Sequence, residues 1–210
     1  RQGYRFGRSM DDLGQHNDAE SLMADLRSRH PGFREAVLAD TVVTAQHRGE
    51  RHDFRSKGDA LLAALRLAWV SDAFLAQVLY RAKAAAQRRG LPLLPRILHR
   101  LSMMLSQVSI GDPVVVHPGV YIVHGQVVLD GIVEIHPGVV ISPWVTIGLK
   151  AGSVIGPTVR EGASIGTGAK LIGPIDVGAG ARIGANAVVV DDVPAGATAT
   201  GVPARDAGKY

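Results

Sequence analysis

Ile165-Gly166-Thr167-Gly168-Ala169-Lys170, Val177-Gly178-Ala179-Gly180-Ala181-Arg182 and Ile183-Gly184-Ala185-Asn186-Ala187-Val188 are hexads of one stretch, each opening on an aliphatic residue and turning on small ones. Extended, the series reads Ile135, Ile141, Ile147, Ser153, Val159, Ile165, Leu171, Val177, Ile183 and Val189, with Ser153 alone out of class. An earlier series, Ile110, Val116, Ile122 and Val128, is offset by one residue. A period of six fits neither the 3.6 of a helix nor a meander of longer strands. It fits a β-solenoid, in which short strands and tight turns alternate and the aliphatic positions stack inside. Three hexads make one triangular coil, so residues about 18 apart are expected one above the other at the strand spacing of about 4.8 Å. The one-residue slip between Val128 and Ile135, close to Gly131, marks a local break in the coil, and breaks of this kind are frequent beside functional sites.

The chain has 210 residues, 46% hydrophobic and 20% charged, which suits a soluble globule. No apolar run of about 18 residues and no basic-then-apolar leader is visible, so a cytoplasmic protein without membrane contact is expected. There is no cysteine, which excludes disulfides, a thiol nucleophile and a thiolate metal site. The formal charge of +4 is uneven: residues 1–107 carry 17 Lys/Arg against 11 Asp/Glu, and residues 108–210 carry 6 against 8. Arg88-Arg89 closes a helix beside Gly90, where cations complement the helix dipole, and no aromatic or groove-reading pattern accompanies the charge, so nucleic acid is not an expected partner.

The first half reads as helical. Residues 1–17 are polar and aperiodic and are expected to be a flexible tail, as are 206–210. Asp18 to Arg29 reads as a helix stopped by His30-Pro31-Gly32, and Phe33 to Gln46 as a second. Leu61, Leu62, Leu65 and Trp69, then Phe74, Leu75, Val78 and Leu79, recur at helical spacing from Asp59 to Arg89 around Ser71-Asp72. Leu91-Pro92-Leu93-Leu94-Pro95 reads as a connector, and Ile97 to Ser106 as a last amphipathic helix. The expected organisation is therefore a helical domain over 18–107 and a solenoid over 108–205. The helices of 59–106 would cap the open solenoid end, which otherwise exposes strand edges. Trp69, Phe74, Tyr80, Met103 and Met104 are expected in the core or at a subunit interface.

Three stretches of the solenoid resemble the hexapeptide-repeat acyltransferases, and among them the serine O-acetyltransferases: Val123-His124-Gly125 with Gly131, Val145-Thr146-Ile147-Gly148, and Arg160-Glu161-Gly162-Ala163-Ser164-Ile165-Gly166-Thr167-Gly168-Ala169-Lys170. The closing segments Val188-Val189-Val190-Asp191-Asp192-Val193-Pro194 and Gly201-Val202-Pro203-Ala204-Arg205 are similar too. The resemblance implies a left-handed parallel β-helix, trimers or dimers of trimers, acetyl-CoA as co-substrate in a groove between subunits, and His124 as catalytic base. It places the CoA contacts at Gly148, Leu149, Gly166, Thr167, Gly184 and Ala185, with Arg205 near the same groove. No resident metal or tightly bound cofactor is expected.

The chemistry agrees with those residue types. An alcohol attacks a thioester only when a base takes its proton, and imidazole does this near neutral pH. Without cysteine, direct transfer through a ternary complex is the economical route. Gly166, Gly184 and Ala185 would leave room for a pantetheine arm, and Lys170, Arg182 or Arg205 would reach CoA phosphates. His117 and His136 occupy the same hexad position in His117-Pro118-Gly119 and His136-Pro137-Gly138, and are expected to stack. His124 has no such counterpart, because the next coil presents Ser142-Pro143.

The chain departs from the serine O-acetyltransferase pattern at three places. The aspartate 15 residues before the catalytic histidine is Ser109 here, and the aspartate just before it is Val123. The loop Leu149-Lys150-Ala151-Gly152-Ser153-Val154-Ile155-Gly156-Pro157 is shorter and lacks the Arg-His pair that holds a substrate carboxylate. An uncharged, sugar-like or carrier-linked hydroxyl, or a modified amino acid, suits this lining better than free serine. Asp112, Asp130 and Glu134 are candidates to replace the missing partner of His124. Two other readings stand beside this one: a metal-dependent hydratase or hydrolase with zinc on His117, His124 and His136, and a non-catalytic scaffold.

Overall fold

The computed structural model describes residues 16–206. Except at positions 16, 17 and 206, the two expected tails lie outside the described residues. Five helices come first: α1 (His16–Arg29), α2 (Phe33–His47), α3 (Lys57–Val70), α4 (Asp72–Arg88) and α5 (Leu94–Ser106). Ser56 and Ser71 cap α3 and α4, their hydroxyls accepting from Asp59 N (3.1 Å) and Phe74 N (3.3 Å). Helix α5 starts three residues earlier than the sequence suggests, with Pro95 inside its first turn. A proline there loses nothing, since first-turn N–H groups have no intrahelical acceptor. Among the described residues no single helix is long and apolar enough to cross a membrane.

Fifteen short strands follow, arranged as three faces of a prism. Face I stacks β1 (Val108–Ile110), β4 (Val127–Leu129), β7 (Thr146–Gly148), β10 (Lys170–Ile172) and β13 (Val188–Val189). Face II stacks β2 (Val115–Val116), β5 (Ile132–Ile135), β8 (Ile155–Val159) and β11 (Asp176–Val177). Face III stacks β3 (Tyr121–Ile122), β6 (Val140–Ile141), β9 (Ser164–Ile165), β12 (Arg182–Ile183) and β14 (Thr198–Gly201), and β15 (Ala204–Asp206) folds back antiparallel on β14. All other pairings are parallel. The inside of the prism is a column of aliphatic residues from three directions: Ile110, Leu129, Ile147, Leu171 and Val189 from face I, Val116, Ile135, Val159 and Val177 from face II, and Ile122, Ile141, Ile165 and Ile183 from face III, none more than 3% exposed.

The register departs from a uniform 18-residue coil in two ways. On face I the partners are Val108 with Val127, Val128 with Thr146, Thr146 with Lys170 and Lys170 with Val188, steps of 19, 18, 24 and 18 residues. The long step adds six residues: five enter the loop between β7 and β8, after which Ile132 pairs with Ile155, and the sixth is a bulge inside β8, beyond which Glu134 pairs with Thr158. Ser153 therefore does not stack in the core; its hydroxyl closes the loop on Ile155 at 3.1 Å. The 19-residue step also moves the expected slip. The inward residue of β4 is Leu129, and Val128 points outward, 41% exposed. One extra residue before β4 turns its side chains over, because strand positions alternate faces. The slip thus lies between Ile122 and Val127, in the corner carrying His124, rather than near Gly131.

Helix α4 closes the first coil by answering its unpaired carbonyls. Gln77 Nε2 donates to Val120 O (2.8 Å), Tyr80 Oη to Val114 O (2.7 Å), Arg81 to Val116 O and to His117 O (2.9 Å), and Lys83 Nζ to Ile110 O (2.6 Å). Ser102 of α5 donates to Val108 O at 2.9 Å. A buried carbonyl left unpaired would cost about 1–3 kcal/mol each, which explains four polar residues on the covered side of a helix. Arg81 is balanced by Asp40 of α2 (3.0 Å), which also accepts from Gly119 N (2.9 Å). Phe74 and Tyr80 are buried as expected, whereas Trp69 and Met104 are 91% and 77% exposed. With Leu61, Leu62 and Leu65 they form apolar faces of α3 and α5 that are left exposed among the described residues, as a subunit interface would be in a single chain.

Candidate active site

The corner between faces III and I is the same in three successive coils: three residues, Ser142-Pro143-Trp144, Gly166-Thr167-Gly168 and Gly184-Ala185-Asn186, join β6 to β7, β9 to β10 and β12 to β13, counted from the last inward residue of one face to the first of the next. In the first coil it has four, Val123-His124-Gly125-Gln126, the last in the left-handed conformation (φ 59°) like Trp144 (φ 66°) and Asn186 (φ 57°). The extra residue pushes the His124 imidazole out of the corner, where it is 66% exposed. Gly125 is held against the end of α5, so tightly that a Cβ there would strike Ser106 O. Only glycine permits that approach.

The start of α4 reaches this corner. Asp72 Oδ1 lies 3.8 Å from His124 Nδ1, and Asp72 Oδ2 accepts from Gly125 N at 3.3 Å. Asp72 Oδ1 also accepts from Ala73 N (2.9 Å), so the carboxylate is anchored to its own helix while it faces the corner. Among the described residues it is the one carboxylate within 4 Å of His124. The partner is therefore none of the three expected from the sequence. Asp112 is paired with Lys83 at 3.0 Å. Asp130 stands at the opposite edge of face I, beside Gly111. Glu134 is engaged by His117 at 2.8 Å and Arg29 at 2.5 Å, and the hydrogen bond from His117 is the main reason its carboxyl is held down at about 2. No local pattern marks Asp72 as a site residue; Ser71-Asp72 is an ordinary helix start, 53 residues from Gly125.

The other expected site residues divide between two edges. Gly166, Thr167, Gly184 and Ala185 stack at the III–I corner in the coils beyond His124. Gly148 and Leu149 lie at the I–II corner, Leu149 against Gly131 of the coil before it. One chain does not bring the two sets together. Gly166 is small for a reason other than ligand access: a Cβ would come within 2.7 Å of Ala185 N and Ile183 O, backbone atoms of the next coil. Lys170 Nζ donates to Trp144 O (2.6 Å), and Arg205, opposite Thr200 on β15, pairs with Asp191 at 3.6 Å. A hollow bounded by Lys150, Ile172, Pro174, Val190 and Asp191 opens at the I–II corner, away from His124. The zinc triad of His117, His124 and His136 does not assemble. His117 and His136 stack as expected, ring centroids 4.9 Å apart, but their third neighbour is Glu134.

No protein-family model matches the chain. It is 46% identical over 114 residues to the serine acetyltransferase of Escherichia coli (strain K12), covering 50% of this chain and 41% of that one. It is 40% identical over 126 residues to the serine acetyltransferase of Mycobacterium tuberculosis (strain ATCC 25618 / H37Rv), covering 58% and 55%. The chain thus spans about half the length of the curated relatives it matches. Of solved structures, a serine acetyltransferase in complex with CoA superposes with a TM-score of 0.65 at 30% identity, covering 81% of this chain and 67% of that one. Soybean serine acetyltransferase complexed with serine superposes with a TM-score of 0.69 at 29% identity, covering 89% and 74%.

Proposed function

This chain belongs to the serine O-acetyltransferase-like hexapeptide-repeat acyltransferases, and from that premise we propose that it moves an acetyl group from acetyl-CoA directly to a hydroxyl acceptor, with His124 as general base and Asp72 as its supporting carboxylate. The observation that carries the reading is the four-residue corner, which presents one imidazole to solvent with a carboxylate on its Nδ1 side. With Nδ1 turned toward Asp72, Nε2 faces the acceptor. It takes the hydroxyl proton as the oxygen attacks the thioester carbon. Collapse of the tetrahedral adduct breaks the C–S bond, and the imidazolium returns the proton to the CoA thiolate, leaving an acetyl ester and free CoA. Asp72 favours the imidazolium and holds the ring.

Gly166, Thr167, Gly184 and Ala185 would line the pantetheine path along the His124 edge. Gly148 and Leu149, on the other edge of face I, would come from a neighbouring copy, so a homotrimer completes the groove, with Arg205 of β15 near its end. The uncovered faces of α3 and α5, with Trp69 91% exposed, suit pairing of two such trimers. Neither Arg nor His stands in the Leu149–Pro157 loop to clamp a carboxylate in two-pronged fashion, which favours an acceptor without a free carboxyl over serine itself.

The test is release of free thiol from acetyl-CoA across a panel of alcohols that includes serine. At least one acceptor should turn over, and His124→Ala should lower its rate by roughly 10² to 10⁴ while acetyl-CoA still binds. Wild-type turnover in His124→Ala would remove the assigned base.

A further inference from the structure

A second group of ligating side chains lies at the corner between faces II and III, apart from His124. His117 follows β2, Glu134 lies on β5, and His136 follows β5 directly above His117, their rings 25° from parallel. His117 Nε2, Glu134 Oε1 and a ring nitrogen of His136 lie within 4.8 Å of one another. His136 Nδ1 is 3.0 Å from Glu161 Oε1, so Nδ1 carries the proton and Nε2 the lone pair. That Nε2 is buried without a hydrogen-bond partner, 3.9 Å from Glu134 Oε1. A buried imidazole nitrogen has no reason to stay unpaired among polar neighbours unless something else meets it.

The geometry points to a metal ion. Two donors about 2.05 Å from a tetrahedral zinc stand about 3.3 Å apart. The separations from Glu134 Oε1, 2.8 Å to His117 Nε2 and 3.9 Å to His136 Nε2, bracket that value, each within about 0.6 Å of it. The supporting groups are also those of a metal site: Glu161 behind His136 makes a carboxylate–histidine pair, and Arg29 holds Glu134 Oε2 at 2.5 Å, so that Oε1 is the oxygen turned to His117 and His136. Two carboxylates against one guanidinium leave the cluster one charge short of neutral, since Arg160 nearby is taken by Asp176 at 3.0 Å.

We propose that His117 Nε2, Glu134 Oε1 and His136 Nε2 bind a divalent transition-metal ion of the zinc class, its fourth position open to water, and that the ion ties the first two coils together. Binding moves the His117 proton from Nε2 to Nδ1, which ends its hydrogen bond to Glu134. The site is independent of acetyl transfer. Its test uses the chelator-treated full chain titrated with zinc sulfate by calorimetry, and with cobalt(II) followed by visible absorption. One ion per chain and tetrahedral cobalt bands are expected. His136→Gln and His117→Gln should each lose stoichiometric binding. Glu161→Gln, at an exposed position that leaves the ligands in place, should weaken it about 10- to 100-fold. His124→Ala should bind zinc as the wild type does. Absence of stoichiometric zinc in the wild type, undiminished affinity in both Glu161→Gln and His136→Gln, or loss of binding in His124→Ala would each overturn the assignment.

Discussion

Asp72→Asn tests how the corner works. The substitution keeps a side-chain oxygen for Gly125 N and removes the charge 3.8 Å from His124 Nδ1. At that separation two unit charges interact by about 1 kcal/mol in water and about 4 kcal/mol at an effective dielectric of 20. With the two side chains 66% and 46% exposed, the free enzyme belongs at the low end. Bound acetyl-CoA and acceptor displace water from the corner and move the value upward, to between about 1 and 3 kcal/mol in the transition state. The expected loss in kcat is therefore about 5- to 150-fold, at or below the low end of the range for His124→Ala. The KM for acetyl-CoA should hold, because the charge supports the imidazolium and not the donor. The assay is steady-state thiol release on the best acceptor of the panel, with a thermal melt to confirm the fold; losing a first-turn carboxylate from α4 costs about 0.3–1 kcal/mol by the dipole alone. A kcat within twofold of the wild type would refute the pairing.

Three further outcomes follow from the packing. Asp40→Ala leaves Arg81, 3% exposed, without its counter-charge and should cost about 3–5 kcal/mol in urea unfolding, less when combined with Arg81→Met; a cost below about 1 kcal/mol would show that the cap does not depend on the pair. Gly166→Ala forces a Cβ to 2.7 Å from the backbone of the next coil and should destabilise by about 1–3 kcal/mol; an unchanged melt with only a raised KM for acetyl-CoA would make that glycine a ligand contact instead. His30, between Tyr80 and Arg88, is pushed from 6.5 down to about 4, by burial first and then by Arg88. The unfolded chain binds that proton more readily, so stability present above pH 6.5 is lost as the pH falls toward 4, by about 2 kcal/mol at pH 5. His30→Gln should flatten that part of the pH–stability curve, and an unaltered curve would show that His30 does not govern it.

The residues that carry these predictions differ in how far a reader of the chain could have found them. His124 stands out because the hexads around it are regular and its turn has no repeat in the next coil. Ser153, the one misfit of its series, was the only trace of the six added residues. An insertion of one whole period leaves the phase untouched, so periodicity passes over it. Val128 looked inward for a related reason: the series was counted across a corner that holds one residue more than its neighbours, and strand alternation then reverses every assignment beyond it.

Repetition along the chain is enough to specify a prism of short strands, since each aliphatic position needs only its counterpart one coil away to be buried. It also specifies a helical region whose polar residues must be explained. Contacts between residues far apart in the chain carry no periodic mark. That Asp72 meets His124 across more than fifty residues, and that Arg81 and Lys83 turn inward onto the free edge of the first coil, both follow from how α4 lies against the solenoid. That packing is set by unpaired carbonyls and buried charge finding each other in space, which no spacing rule records.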